Sequence, residues 1–459
     1  MGAGAASVPR LDRVLRLHDL IFYGIVIIMP IAAVPLFGLG QKLSNGHMVT
    51  TILIAMLAMI LTALSYGRMA ALYPVAGSAY TYVGRGLNPH LGFLAGWAMF
   101  LDYLLNPLIC TIYGSLTVQR VLSPLVPHVP PRVLYAVLAA LFAGAMTSLN
   151  LRGIRSTAHS NLVLLVIMSA MICAFIALAV RFIVHTQGAG ALLSSRPFYD
   201  PRTFHLGAIA TATSFAALTY IGFDGITTLA EDVENPKRNV LLATVLVCIF
   251  TGLFSGLQIY LAQRVWPDWQ SFSNIETAFM DVTRRVGGWV LFQSLAFILI
   301  LANVGAGLSA QVGAARLLFG MGRDNVVPRR IFAYLDPKKN SPTYNIWIIG
   351  VLAFVGALVM SYETGAECLN FGAFLAFMGV NIATLSQFYI KGQPGGRRRF
   401  VVDAVLPALG FLICLGIWLS LPTPAKVIGG SWLAIGIVYD AVKTRGFRTA
   451  PAMLDFTES

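Results

Sequence analysis

Charge is what this sequence lacks most. Only 11% of its 459 residues are charged, and just 19 of those are Asp or Glu. A soluble chain carries about 25% charged residues, so the composition excludes an ordinary water-soluble protein. Cysteine is also sparse. Cys110, Cys173, Cys248, Cys368 and Cys414 all lie in apolar segments, and none has a metal or redox spacing. They are expected to be small packing residues. There is no Walker loop, no His/Glu metal pair and no Ser/His/Asp arrangement. His18, His47, His90, His128, His159, His185 and His205 fall at span ends or in loops. Nothing therefore points to an enzyme, and no cofactor is expected. A cleavable signal peptide is missing too: the N-terminus is short and basic, with no small-residue cleavage site behind the first apolar run.

What is there is hydrophobic. Apolar residues make up 57% of the chain and mean hydropathy is +0.75. Long apolar runs recur throughout, which predicts an all-α polytopic membrane protein. Twelve spans are expected, near 18–41, 49–72, 89–121, 131–149, 159–184, 206–231, 239–263, 286–320, 344–361, 366–390, 401–420 and 424–442. The third is long and expected to tilt. Residues 1–17 form an N-terminal segment and 443–459 a polar tail. Asn274 to Arg285 is expected to be a short surface helix. An even span number places both termini on one side. Counting that side as cytoplasmic puts 22 of the 32 basic residues inside, including Arg68, Arg152, Lys237 and the Arg397-Arg398-Arg399 run. The positive-inside rule favours this orientation in a plasma (inner) membrane. The net charge of +13 then reflects loops facing anionic lipid rather than nucleic acid.

Two spans are broken. The sixth is interrupted at Gly222, Asp224 and Gly225. An acid at mid-depth is costly and marks function, and a helix broken there must line a cavity, where its freed backbone groups find partners. The first span carries Pro30 and Pro35, each of which removes a backbone donor. About twelve residues, roughly 18 Å of helix, separate its start from Pro30, so this break also lies at mid-depth. Breaks at matching positions in two halves point to a binding site in an inverted-repeat transporter.

Further motifs carry a resemblance. Gly67-Arg68-Met69-Ala70-Ala71-Leu72-Tyr73-Pro74 with Gly77-Ser78-Ala79-Tyr80, Gly92-Phe93-Leu94-Ala95-Gly96-Trp97, Glu234-Asn235-Pro236-Lys237-Arg238 and Arg316-Leu317-Leu318-Phe319-Gly320 are spread over about 20–390. Together they resemble the amino acid–polyamine–organocation superfamily, with the first span and Gly222-Phe223-Asp224-Gly225 most similar to bacterial putrescine importers. The resemblance implies the leucine-transporter-type fold. A transport core over 18–390 would hold two inverted five-helix repeats, 18–184 and 206–390, with helices eleven and twelve (401–442) peripheral. Many amino-acid members carry Gly-Ser-Gly or Gly-Ala-Gly at the first break, whose N–H groups hold a carboxylate. Here Pro30-Ile31-Ala32 stand there, and proline has no N–H. An acid, Asp224, meanwhile sits near the sixth-span carbonyls that usually hold the substrate amine.

Candidate substrate residues are Pro30, Ile31, Ala32, Asp102, Tyr103, Tyr220, Ile221, Gly222, Phe223, Asp224 and Asn303. Asp224 is expected to meet an ammonium, to act as a protonation switch, or to cap the broken backbone. Asp102 either forms the second acceptor for a diamine or faces the eighth or tenth span. Asn303 and Asn370 serve as ligands or as helix–helix glue. Phe215 and Tyr220 are candidate gates by aromatic closure. Glu231, Lys237, Arg68 and Arg152 are candidates for a cytoplasmic ion-pair gate or solvated loop ends. The resulting expectation is a secondary transporter importing a putrescine-like amine, with protons as coupling ion. Its partners are a small amine or amino acid and membrane lipid, and its state monomeric or homodimeric. An amino acid symporter or exchanger is the alternative, ahead of an amine receptor or channel.

Overall fold

A computed structural model describes residues 15–74, 78–152, 158–230, 232–323, 328–336, 341–392, 398–449 and 451. In chain order the helices are α1 (Leu17–Ile28), α2 (Phe37–Leu43), α3 (Met48–Leu72), α4 (Ser78–Gly86), α5 (Pro89–Leu122), α6 (Pro131–Leu151), α7 (Ala158–Gln187) and α8 (Leu206–Ala216). There follow α9 (Pro236–Val265), α10 (Ala278–Arg323), α11 (Arg329–Phe332), α12 (Thr343–Val359), α13 (Tyr362–Leu385), α14 (Leu406–Leu419) and α15 (Thr423–Lys443). Among the described residues there are ten stretches long and apolar enough to cross a membrane, and α1 and α12 are shorter apolar helices. With almost no water to bind backbone groups in a bilayer, helices are the expected solution.

Local sequence sets the helix starts. At α5, the Asn88 side chain accepts from the His90 N–H at 2.8 Å, and Pro89 occupies the first turn. Proline is suited there because that N–H has no helical partner. Pro236 opens α9 in the same way, after Asn235 in a left-handed conformation (φ 53°). At α13, Ser361 Oγ accepts from the Thr364 N–H at 3.1 Å. Pro107 stands inside α5, and Thr111 Oγ1 donates to the Pro107 carbonyl at 2.8 Å.

Packing is densest between α3 and α9, and between α5 and both α10 and α13. α6 packs on α12, α7 on α10, and α14 and α15 lie against α13. Small residues permit close approach. A Cβ on Gly67 of α3 would stand 2.6 Å from the Leu241 Cα of α9. One on Gly372 of α13 would stand 2.3 Å from the Ala98 carbonyl oxygen of α5.

The short helix expected within Asn274 to Arg285 is present from Ala278 to the kink at Gly288, but its first turns are buried rather than on the surface. Phe279, Met280 and Val282 are no more than 1% exposed. The Phe279 ring packs on Phe37 and Phe175 at 5.6 and 4.8 Å. Asp281 pairs with Arg120 of α5 at 2.5 Å. The chain then turns at Gly288 (φ 65°) into the long part of α10. Asp281 is paired within the protein, while Arg284 and Arg285 remain exposed.

Candidate functional site

Both expected breaks are present. Helix α1 ends at Ile28, and Met29 adopts φ 66°. The chain then runs through tight turns to α2: the Ala32 N–H donates to the Met29 carbonyl at 3.1 Å and the Val34 N–H to the Ile31 carbonyl at 2.9 Å. Pro30 has no N–H to offer. Its carbonyl accepts from Gln258 Nε2 of α9 at 2.9 Å. Pro30 and Ile31 are buried, Ala32 half-buried.

The second break follows α8. A 3₁₀ turn at Ala217–Tyr220 gives way to Ile221 and Gly222, then a second 3₁₀ stretch, Phe223–Leu229. Gly222 has φ +110°, which disfavours side-chain-bearing residues, and a Cβ there would sit 2.5 Å from Ile27 Cγ2. Thr227 and Thr228 hydroxyls cap the Asp224 and Gly225 carbonyls at 2.7 Å each. Among the described residues no well-aligned hydrogen bond between elements ends on the carbonyls of Thr219, Tyr220 and Ile221. The Asp224 carboxyl lies against the backbone N–H groups of Gly222, Asp224 and Gly225. Its charge acts on Tyr23 of α1, Tyr66 of α3, Tyr82 of α4, and Asp102 and Tyr103 of α5.

Helix α1 and the Phe223–Leu229 stretch pack against each other. A Cβ on Gly24 would meet Ile226 at 2.6 Å. Before α1, the Leu15 N–H donates to the Asp232 carbonyl at 2.9 Å and the Glu234 N–H to the Leu15 carbonyl at 2.8 Å. Arg16 faces Glu234 at 3.6 Å.

The expected aromatic residues divide. Tyr220 is fully buried and its hydroxyl donates to the Ile52 carbonyl of α3 at 2.8 Å. Phe223 is equally buried, with its ring 5.4 Å from Tyr66 and 5.3 Å from Phe377. Phe215 lies 6.5 Å from the Tyr362 ring. In contrast, Tyr23 and Tyr103 retain 38% and 41% exposure, and Asp102, Ile221 and Asp224 are half-buried. Tyr220, Phe223 and Phe215 are thus sealed in packing, while Tyr23 and Tyr103 keep exposed surface.

Other expected residues make contacts of their own. Asn303 donates to its own helix, to the Leu299 carbonyl at 2.7 Å. Asn370 of α13 instead bridges helices, donating to the Ser214 carbonyl at 2.6 Å. Arg68 pairs with Asp403 and donates to the Val402 carbonyl at 2.6 Å, beside the peripheral α14. Arg152 and Lys237 are exposed, and Glu231 lies outside the described residues. The expected ion-pair gate is not brought together by these contacts. Three polar groups escaped sequence reasoning: Gln258, Ser214 and Glu367, the last with 0% exposure. Glu367 had a signal, since it is an acid inside an apolar run.

Many apolar spans, two helices broken side by side and an acid between them define a membrane carrier rather than an enzyme. Residues 20–428 match the family described as amino acid permease. The chain belongs to this family, within the amino acid–polyamine–organocation superfamily. It is 31% identical to the low-affinity putrescine importer PlaP of Escherichia coli (strain K12), over 96% of each chain. It is 27% identical to the branched-chain amino acid permease BcaP of Bacillus subtilis (strain 168), over 95% of this chain and 94% of that one. Identity to the methylthioribose transporter of the same organism is 26%, over 94% and 93%. It is a multi-pass membrane transporter.

Proposed function

We propose that the protein imports a small organic amine of the putrescine type by alternating access, driven by protons. One observation carries the substrate class. The second break offers an acid, Asp224, beside the carbonyls of Thr219, Tyr220 and Ile221, all acceptors for an ammonium. At the first break Pro30 lacks a donor, and the Ala32 and Val34 N–H groups are engaged. Asp102 supplies a second acid for the far end of a diamine, and Tyr23 and Tyr103 give ring faces for a cation.

Twelve spans, counting the shorter α1 and α12, fit two five-helix repeats over 18–184 and 206–390, with 401–442 peripheral and 443–459 a tail. The pairwise packing supports this. Exchanging the halves turns α5 with α13 into α10 with α7, α1 with α9 into α8 with α3, and α5 with α12 into α10 with α6; every one of these pairs is in contact. Both termini are cytoplasmic in this reading, and the exposed surface of Tyr23 and Tyr103 faces inward. Helix α1 and Phe223–Leu229 then move against α5 and α10 to release substrate.

A second reading has one specific support. The Ile31 and Ala33 N–H groups have no backbone acceptor among the described residues, and would suit the carboxylate of an amino acid. Uptake in proteoliposomes decides between the two. Labelled putrescine import abolished by Asp224→Asn is the expected result; leucine import that survives this change would overturn the amine reading.

A further inference from the structure

Glu367 is an acid that the substrate site does not use. It lies in the second turn of α13 and is 0% exposed. None of the ion pairs among the described residues includes it. A buried carboxylate without a cation or sufficient donors is costly.

Its hydrogen-bonding neighbour is Ser214 of α8, whose Oγ stands 3.2 Å from both carboxyl oxygens. A serine has one hydroxyl proton. The Thr211 carbonyl, at 2.7 Å, competes with the carboxylate for it. An ionised Glu367 would then have only this one shared proton to accept, at 3.2 Å, with no cation beside it. A protonated Glu367 donates to Ser214 Oγ, and both groups are satisfied. The Ser214 carbonyl is held as well, by Asn370 Nδ2 of α13 at 2.6 Å. Ser214 stands three residues before the 3₁₀ turn that begins the second break.

The charged surroundings are simple. Glu363, one turn earlier and half-buried, acts electrostatically on Glu367, and Lys42 of α2 acts on Glu363. Cys368 is the adjacent titratable group on α13. On α5, Cys110 and Tyr113 act on Tyr362. Tyr66, Tyr82 and Asp102, from α3, α4 and α5, face Asp224. Cys414 of α14 contacts Thr62 at 3.4 Å, and Asp440 of α15 faces His90 at 2.8 Å.

We propose that Glu367 is the proton-binding site of the carrier and that its proton latches α8 to α13. Uptake forms the carboxyl O–H, with the proton taken from water beyond Glu363. Donation to Ser214 then holds α8 against α13 ahead of the second break. When α8 and α13 separate, the O–H ionises and the proton passes to water in the cavity. The proposal rests on the transporter reading for what the proton drives.

The test uses full-length protein in proteoliposomes with the membrane potential clamped. An inward gradient of about one pH unit supports about tenfold accumulation per proton. The wild type is expected to concentrate labelled putrescine accordingly. Glu367→Gln is expected to exchange labelled for unlabelled putrescine at the wild-type rate but not to concentrate it. Accumulation by Glu367→Gln equal to wild type overturns the proposal. If the wild type moves no putrescine, the amine reading fails, and infrared spectra of purified protein still decide this one. A protonated-carboxyl C=O band present in wild type and missing from Glu367→Gln supports it; identical spectra overturn it. Should that variant not fold, Ser214→Ala replaces it. Weakened accumulation with retained exchange is then expected, and unchanged accumulation overturns the latch.

Discussion

The two helix breaks look alike in sequence and differ in chemistry. Both lie between apolar half-helices, and they touch through Ile27 and Gly222. The first is partly closed: proline removes a donor, the Ala32 and Val34 N–H groups bond within the turn, and Gln258 holds the Pro30 carbonyl, which leaves the Ile31 and Ala33 N–H groups. The second offers acceptors, the Thr219, Tyr220 and Ile221 carbonyls with Asp224 beside them. Under the proposed amine reading, that asymmetry is what favours a cation.

The comparison breaks most severely at Asp224. Losing a buried charge contact costs about 2–5 kcal/mol, so Asp224→Asn should lower kcat/KM for putrescine uptake about 30-fold or more. Gly222→Leu should follow. It combines a φ of +110° with a Cβ 2.5 Å from Ile27. Strain and overpacking of about 1–3 kcal/mol each should lower the thermal midpoint, and Ile27→Ala added to it should restore only part of the loss. Gln258→Leu leaves the Pro30 carbonyl without its donor and should cost about 1–3 kcal/mol. If the first break is mainly structural, that variant loses thermal stability but keeps its preference for putrescine over leucine.

The smallest expected effect is a control outside both breaks. Burial pushes the Glu276 carboxyl above its ordinary value. Its ionised form is therefore disfavoured in the folded state, and stability falls as pH rises from the ordinary carboxylate range through the raised value. Glu276→Gln should raise the thermal midpoint slightly at neutral pH and leave it unchanged in acid.

Much of this was legible in the chain. Proline and glycine inside apolar runs announce breaks because they remove donors or adopt positive φ, and Asp224 stands out by its depth alone. Partners were not legible. Nothing local says that the Tyr220 hydroxyl reaches the Ile52 carbonyl, that Arg68 reaches Asp403, or that Gln258 reaches Pro30, since each contact joins distant segments. The burial of the helix that begins at Ala278 was missed for the same reason: Asp281 looks solvated until Arg120 is placed beside it. Glu367 was visible as an acid in a span, but its meaning depends on Ser214 across the helix interface.

Equilibrium binding of labelled putrescine to the purified protein, with and without Asp224→Asn, tests the central claim most directly. The account predicts binding to the wild type that weakens at least tenfold in the variant, with leucine failing to displace the label. Displacement by leucine, together with putrescine affinity unchanged by Asp224→Asn, would contradict it.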